Sequence, residues 1–187
     1  MTQPFIRKPR YPVSDPLPYI DDENNLPNGV VKLAELSESE YKAWEKYALY
    51  LSQNKFLSIV YIFKARGGSL CYYQCDFPLR FLSWFPETLE KFRLPPGQSP
   101  YRGFMTPDEN VDGEMLAISR DMAIGNRQEP GYTAHNFSRH QYCGEPAPWT
   151  DAPNEPFWEM SMTWTEKYLF DGGLLELIQH LARIKKG

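Results

Sequence analysis

The sequence has few of the residues that most often carry chemistry. Its 187 residues include three cysteines and three histidines. The odd cysteine count argues against a disulfide framework and for free thiols in a reducing compartment. A nucleophile elbow of the G-x-S-x-G type, a glycine-rich phosphate loop and an H-E-x-x-H zinc motif are all absent. Nucleophilic, nucleotide-dependent and zincin-type catalysis therefore have no signature in this sequence.

A surplus of basic residues and a long apolar run are also missing. Twenty Lys and Arg stand against 24 Asp and Glu, and a net charge of -4 does not favour counterion release from a nucleic-acid backbone. No run approaches the roughly 18 apolar residues that span a bilayer. The N-terminus lacks the apolar core of a secretory signal. We therefore expect a cytoplasmic protein that binds neither a membrane nor nucleic acid.

Two β-rich runs joined by a pair of glycines form the clearest element that is present. In residues 56–63 (FLSIVYIF) seven of eight residues are apolar, which predicts a strand buried on both faces. Residues 70–75 (LCYYQC) follow as a second strand. Gly67 and Gly68 can adopt the positive φ angles of a two-residue hairpin turn. The sequence thus predicts a central β-hairpin.

Three segments have the signals of helices. Ser37 and Glu40 form a capping box before apolar residues that recur at helical spacing. Pro86 suits the first turn of a helix. Asp171 precedes a wide apolar stripe and is the expected N-cap of the last helix. The predicted helices cover residues 37–52, 86–92 and 172–185.

Period-two alternation predicts strands at 114–124 and 157–165, and 132–137 is a candidate for another. Arg120 falls on the apolar side of its strand. Either a bulge or hairpin near residues 119–121 turns it away, or the charge is held against the sheet. Together these elements predict an α+β fold: a mainly antiparallel sheet of about four to five strands with three helices packed on it.

Residues 1–29 contain six prolines, which excludes a helix or a central strand there. The segment also has too many apolar residues for a solvated tail. We expect a proline-rich extended arm that lies over a single α+β domain formed by residues 30–187. The alternative is an arm that becomes ordered only on a partner.

One segment has part of a calcium-loop pattern. Asp108, Asn110 and Asp112 are spaced as in the opening of an EF-hand loop, with Gly113 at the turn. Ser119 stands where such a loop has its bidentate Glu. A polar turn between strands is the alternative interpretation.

The spacing of His140 and Cys143 resembles that of zinc ligands, with His135 or a strand cysteine as a further ligand. Cys71 and Cys75 lie four residues apart on one predicted strand. That places their sulfurs roughly 13 Å apart, too far to share a metal. We expect no cofactor, and metal binding stays an open question at both segments.

Hydrogen-bonding and aromatic side chains cluster in residues 135–142, in what the sequence predicts to be irregular structure suited to recognition. Trp149 lies in a proline-rich irregular stretch and is a candidate interface anchor. The candidate binding residues are Arg120, His135, Arg139, His140, Tyr142 and Trp149.

These observations favour a non-catalytic protein-binding module, such as an accessory, inhibitor or immunity-type factor, whose partner is another protein or a second copy of itself. The alternative is a small metal-dependent or acid–base enzyme that uses residues 135–143. Convergence of Arg120, His135, Arg139 and His140 on one concave surface would favour the enzyme. Their scatter would favour the binding module.

Overall fold

The computed structural model describes residues 8–37, 45–95, 97–125, 128–141 and 158–185. This part of the chain has an α+β fold with two four-stranded antiparallel sheets, A and B, and three helices. The prediction of one sheet with four to five strands is wrong in that respect, because three further strands form where a helix or loops were expected. Sheet A contains β1 Val30–Ser37, β2 Lys46–Ser52, β3 Phe56–Lys64 and β4 Leu70–Pro78. Sheet B contains β5 Glu109–Val111, β6 Glu114–Ile124, β7 Glu129–His140 and β8 Glu159–Thr165. The helices are α1 Phe81–Arg93, α2 Glu166–Phe170 and α3 Leu174–Lys185.

The central hairpin is confirmed as the β3–β4 pair of sheet A. Its turn is longer than predicted, since Ala65 N–H donates to the Ser69 carbonyl at 2.9 Å and three residues separate them. Gly68 N–H also donates to the Ala65 carbonyl, and Gly68 has a φ of 87° whereas Gly67 has no positive φ. One glycine therefore supplies the left-handed position of a three-residue loop.

Sheet A is buried on both faces at its centre. Ile59 belongs to the core that contains the helices, and Val60 belongs to a second cluster on the opposite face. Ile20, from a stretch without helix or strand, completes that second cluster and is fully buried. Its N–H donates to Gln74 Oε1 at 2.8 Å. Residues 17–26 thus supply the apolar cover that lets a continuous apolar strand exclude water on both sides.

The helix predicted at residues 37–52 is wrong. Residues 38–44 lie outside the described part of the chain, but Ser37 ends strand β1 and residues 46–52 form β2, between β1 and β3. Tyr47 and Leu49 point into the core with the helices, whereas Ala48 and Tyr50 join the cluster around Ile20. Only a two-residue period buries four successive apolar side chains on two opposite faces. That burial outweighs the capping signal near Ser37.

Sheet B contains the two strands predicted from alternation and the further candidate at 132–137, and all three are confirmed. β7 is longer than the predicted 132–137, and a bulge interrupts β6 between Asp121 and Ile124. The side chains that face the helices are buried and apolar. They include Leu116, Ile118, Ala134, Met162 and Trp164.

The helices cover one face of the two sheets. α1 begins at Phe81, before the predicted start, and continues through Pro86 because Phe85, Leu89 and Phe92 bury its apolar face. The prediction for α3 is confirmed within two residues at its start. Asp171 does not cap α3. It ends α2, a short helix that the sequence did not predict.

A lipid bilayer could not be crossed by any helix in the described ranges, since each is too short and too polar for that.

Candidate functional site

The side chains whose convergence would favour an enzyme do not converge. His135 lies on the face of sheet B that points away from the helices, because its neighbours Ala134 and Asn136 both point inward. Arg139 is buried on the inner side, and Arg120 lies over core aromatic rings. These residues are therefore scattered, which is the arrangement that would favour the binding module over the enzyme.

Arg139 is held in a buried ion pair with Glu114. Its Nη2 donates to Glu114 Oε1 at 2.6 Å, and the two side chains are 3% and 5% exposed. Nη1 donates to the Asp15 carbonyl at 2.8 Å. Asn136 Nδ2 donates to Glu114 Oε2 at 2.6 Å and to the Asp76 carbonyl at 2.8 Å. This network, here called the junction network, connects β4, β6, β7 and the N-terminal segment.

Arg120 is held against the sheet, the second of the two alternatives for this residue. Its Nη2 donates to the Tyr132 hydroxyl at 2.9 Å. Its guanidinium lies 5.8 Å from the ring centroid of Phe92 and 5.5 Å from that of Tyr132. Cation–π attraction and this hydrogen bond stabilise the charge where an aliphatic residue would fit the alternation. The bulge begins only after it, at Asp121.

The predicted residue His135 forms a pair with catalytic potential with Ser119, which the sequence did not predict as a site residue. His135 Nε2 lies 2.8 Å from Ser119 Oγ, and its ring stacks on Phe137 at 5.5 Å. Burial lowers the pKa of His135, which leaves a neutral imidazole able to accept the serine proton. Nδ1 is buried and has no hydrogen-bond partner in the described residues, so the third group of a triad is absent from them. The carboxylate of Asp121 accepts instead from the Thr133 hydroxyl.

The predicted calcium segment forms a β-hairpin, as the alternative interpretation expects. Asp112 and Gly113, with φ of 49° and 94°, make the two-residue turn between the paired Val111 and Glu114. Asn110 Oδ1 accepts from Gly113 N–H at 2.9 Å.

The carboxylate of Asp108 also has protein partners. It accepts from Arg10 Nη1 at 2.6 Å and from the Tyr11 hydroxyl. Nowhere in the described ranges do three or more His, Cys, Asp or Glu side chains form a group that could hold a metal ion.

The remaining predicted residues lie at the end of β7 or beyond it. His140 Nδ1 lies 2.8 Å from the Gln141 carbonyl. Tyr142, Cys143 and Trp149 lie outside the described residues. Cys71 and Cys75 are free thiols on β4, and burial raises the pKa of the Cys75 thiol.

A groove of about 630 Å³ between α1 and α3 is the feature that sequence reasoning missed. Leu82 and Leu89 form its floor and belong to the core. Its apolar lining consists of Leu82, Pro86, Leu89, Leu94, Pro95, Leu175 and Ala182. Its polar lining consists of Ser83, Glu87, Glu90, Arg93, Gln179 and Arg183. This volume lies in the range of roughly 300–1,000 Å³ that is usual for binding pockets.

Both acidic residues of the groove lie on α1 and a basic residue lies opposite them on α3. Glu87 and Glu90 project from α1, which also carries Arg93 at its end, and Arg183 projects from α3. None of Glu87, Glu90 and Arg183 forms an ion pair with another described residue. Arg93 packs 3.9 Å over the Phe170 ring, which places the C-terminal end of α1 beside the start of α3. The two helices therefore run in opposite directions along the groove.

The sequence held one signal for this groove. The apolar stripe of α3 is wider than one core-facing side requires, since Leu175 and Ala182 flank the buried Leu174, Ile178 and Leu181 and both line the groove. Leu175 and Ala182 are half-buried. Apolar residues beyond the core-facing stripe indicate a second contact surface.

Comparison of this chain with protein families, with curated proteins and with solved structures found no significant match in any of the three.

Proposed function

We propose that this protein is a non-catalytic binding module, an accessory or inhibitory factor that acts through protein contacts, and that the α1–α3 groove is its binding surface. The groove itself is the observation that carries the proposal. Its floor is apolar, its rims are charged, and its carboxylates have no ionic partner in the described residues.

The shape and chemistry of the groove suit a protein segment. Two antiparallel helices leave between them a channel in which a third helix can lay its apolar face. Leu94, at the end of α1, is 40% exposed and extends the apolar lining to the surface. The rim charges at Glu87 and Arg183 can fix the orientation of a bound segment.

Three of the candidate binding and metal-ligating residues have structural partners, which leaves them less available for chemistry. Arg139 is paired with Glu114, Arg120 is hydrogen-bonded to Tyr132, and Asp108 is paired with Arg10.

The test uses a substitution in the groove and a matched one beside it. Ala182 is half-buried in the groove, and Ile184 is exposed on the same helix but does not line it. Immobilised wild-type protein and I184E are expected to retain the same partner from a lysate of producing cells, and A182E is expected to lose it. Thermal melts followed by circular dichroism verify that both variants are folded. Equal retention by A182E, or no retention by wild type, would overturn the proposal.

The alternative function, a small acid–base enzyme, has one observation in its favour: the Ser119–His135 hydrogen bond. A fluorophosphonate probe tests it. Attack of Ser119 Oγ on phosphorus would release fluoride and pass the serine proton to His135 Nε2. Labelling of wild type that S119A and H135Q both abolish would support this function, and no labelling of wild type would remove it. Metal analysis of untagged protein tests the metal-dependent version, which includes Cys143.

A further inference from the structure

We infer that the α1–α3 groove is occupied by a second copy of this chain in a two-fold symmetric contact. The inference rests on the proposed function, because it uses the same surface. It adds the identity of the partner and the geometry of the complex.

The charges on the rims are the first step. The acidic rim, Glu87 and Glu90, belongs to α1, and the basic residue Arg183 belongs to α3. All three are exposed, and none has an ion-pair partner among the residues whose positions are described. The surface thus contains both halves of an electrostatic match that is not made within one copy.

Symmetry is the second step. In a two-fold interface each contact occurs twice, with one surface patch serving as both partners. A two-fold axis along the groove places α1 of each copy over α3 of the other. Because the two helices are antiparallel, Arg183 lies toward the N-terminal half of α1, near the level of Ser83 and Glu87. The acidic rim of each copy then meets Arg183 of the other copy.

The apolar lining is the third step. The same rotation brings the two groove floors together, so that Leu82 and Pro86 of one copy lie over the part of α3 around Ala182 of the other, and Leu89 lies over the part around Leu175. The result is a layer of four helices, an arrangement in which inward apolar stripes and flanking charges are both usual. A foreign helix could fill the channel, but it would have to supply from elsewhere the charges that a second copy already has.

The experiment separates the charges onto different copies. The positive-rim variant is E87R/E90R, and the negative-rim variant is R183E. Sedimentation velocity is measured for each variant alone and for an equimolar mixture. We expect wild type to dimerise and each variant alone to self-associate at least about tenfold more weakly, because like charges then face each other. The mixture is expected to restore the dimer, since α1 of the positive-rim variant then faces α3 of the negative-rim variant, and the two unreversed rims match as in wild type.

Matched controls are available on the same helices. Lys91 on α1 and Glu176 on α3 are exposed and do not line the groove. K91E and E176R reverse charges outside the contact, and both are expected to dimerise like wild type. Circular dichroism verifies the fold of every variant.

The outcomes distinguish this inference from the proposed function. A wild type that stays monomeric at about 100 µM, where a contact with a Kd near 1 µM would be largely dimeric, overturns the second copy as occupant. If A182E still loses a retained protein in that case, the binding function stands with a foreign partner. A dimer that is unaffected by the charge reversals uses another surface, which also overturns the inference. A monomeric wild type that also retains no partner overturns both the inference and the proposed function.

Discussion

Sheets A and B have the same number of strands and the same antiparallel order, but they are covered differently. At the centre of sheet A, Ile59 and Val60 point in opposite directions and both are fully buried. In sheet B, Met162 is buried whereas its neighbours Ser161 and Thr163 are half-exposed. The helices cover one face of each sheet, and residues 17–26 cover the second face of sheet A. The difference teaches that cover from a short stretch elsewhere in the chain sets the apolar pattern of a strand. β3 has a continuous apolar run because residues 17–26 cover its second face, whereas β8 alternates apolar and polar residues.

The largest expected effect comes from breaking the junction network. Glu114→Ala leaves Arg139 buried without its carboxylate, so we expect a loss of about 3–5 kcal/mol in unfolding free energy. Urea denaturation measures it. The double variant E114L/R139M removes both charges and is expected to be less destabilised than E114A alone. Additive losses in the double variant would contradict this account of the network.

A second experiment compares the covered face of sheet A with the half-exposed outer side of β8, the edge strand of sheet B. Ile20→Ala removes a fully buried side chain from the cover, and we expect a loss of about 2–5 kcal/mol. Thr163→Ala removes the hydroxyl that bonds Thr133 at 2.7 Å on the outer face of sheet B. Because Thr163 is itself half-exposed and lies on the edge strand β8, the expected loss is below about 1 kcal/mol. Equal losses in urea denaturation would mean that the two outer faces do not differ in burial.

Two hairpin glycines sharpen the comparison at the backbone level. A Cβ at Gly131 in sheet B would lie 2.1 Å from the Trp164 carbonyl oxygen, whereas a Cβ at Gly67 in sheet A meets nothing within 4 Å. We expect Gly131→Ala to destabilise by about 1–3 kcal/mol, since the β7–β8 pair must move apart. Gly67→Ala is expected to change stability by no more than about 0.5 kcal/mol. Thermal melts of the two variants measure the contrast, and a Gly131→Ala variant as stable as Gly67→Ala would contradict it.

The smallest expected effect is a pH dependence of stability, and it arises from His135 in sheet B. Burial lowers the pKa of His135, despite the opposite effects of Glu159, Asp121 and Asp108. The unfolded chain, with a histidine pKa of about 6.5, then binds the proton more readily than the folded chain. The stability from neutral His135 is present above that pH and decreases as the pH falls toward the lower folded pKa. We expect H135Q to lose less stability than wild type between neutral and mildly acidic pH in urea denaturation. Parallel pH profiles for the two proteins would be the opposing result.

The parts of the fold that could be predicted are those whose evidence is local. Gly68 and the two runs beside it specify the central hairpin, and the alternation from Glu159 to Thr165 specifies β8. β2 could not be predicted in this way. Its apolar run matches a helical stripe as well as a doubly buried strand, and the residue that decides between them, Ile20, is far away in the sequence.

The candidate sites were less predictable for the same reason. Arg139 was assigned to irregular structure, and His135 fell both in that segment and in the candidate strand 132–137. Both lie in β7, and strand alternation together with a bulge after Asn136 sends them to different sides. The groove depends on how α1 packs against α3. Each helix could be predicted in part, whereas the placement of α1 involves contacts with residues on other elements, such as that of Phe85 with Trp164 and that of Arg93 with Phe170.

The bond from Arg139 to the Asp15 carbonyl has a consequence for biosynthesis. The two residues are 124 positions apart in the chain. At a translation rate of about 5–20 residues per second, that separation corresponds to roughly 6–25 s between the appearance of one and of the other. During this interval the N-terminal stretch can already bond to the first sheet, through Ile20 N–H and Gln74 Oε1. The stretch is therefore anchored at Gln74 first, and its second attachment, at Arg139, follows only when β7 has been made.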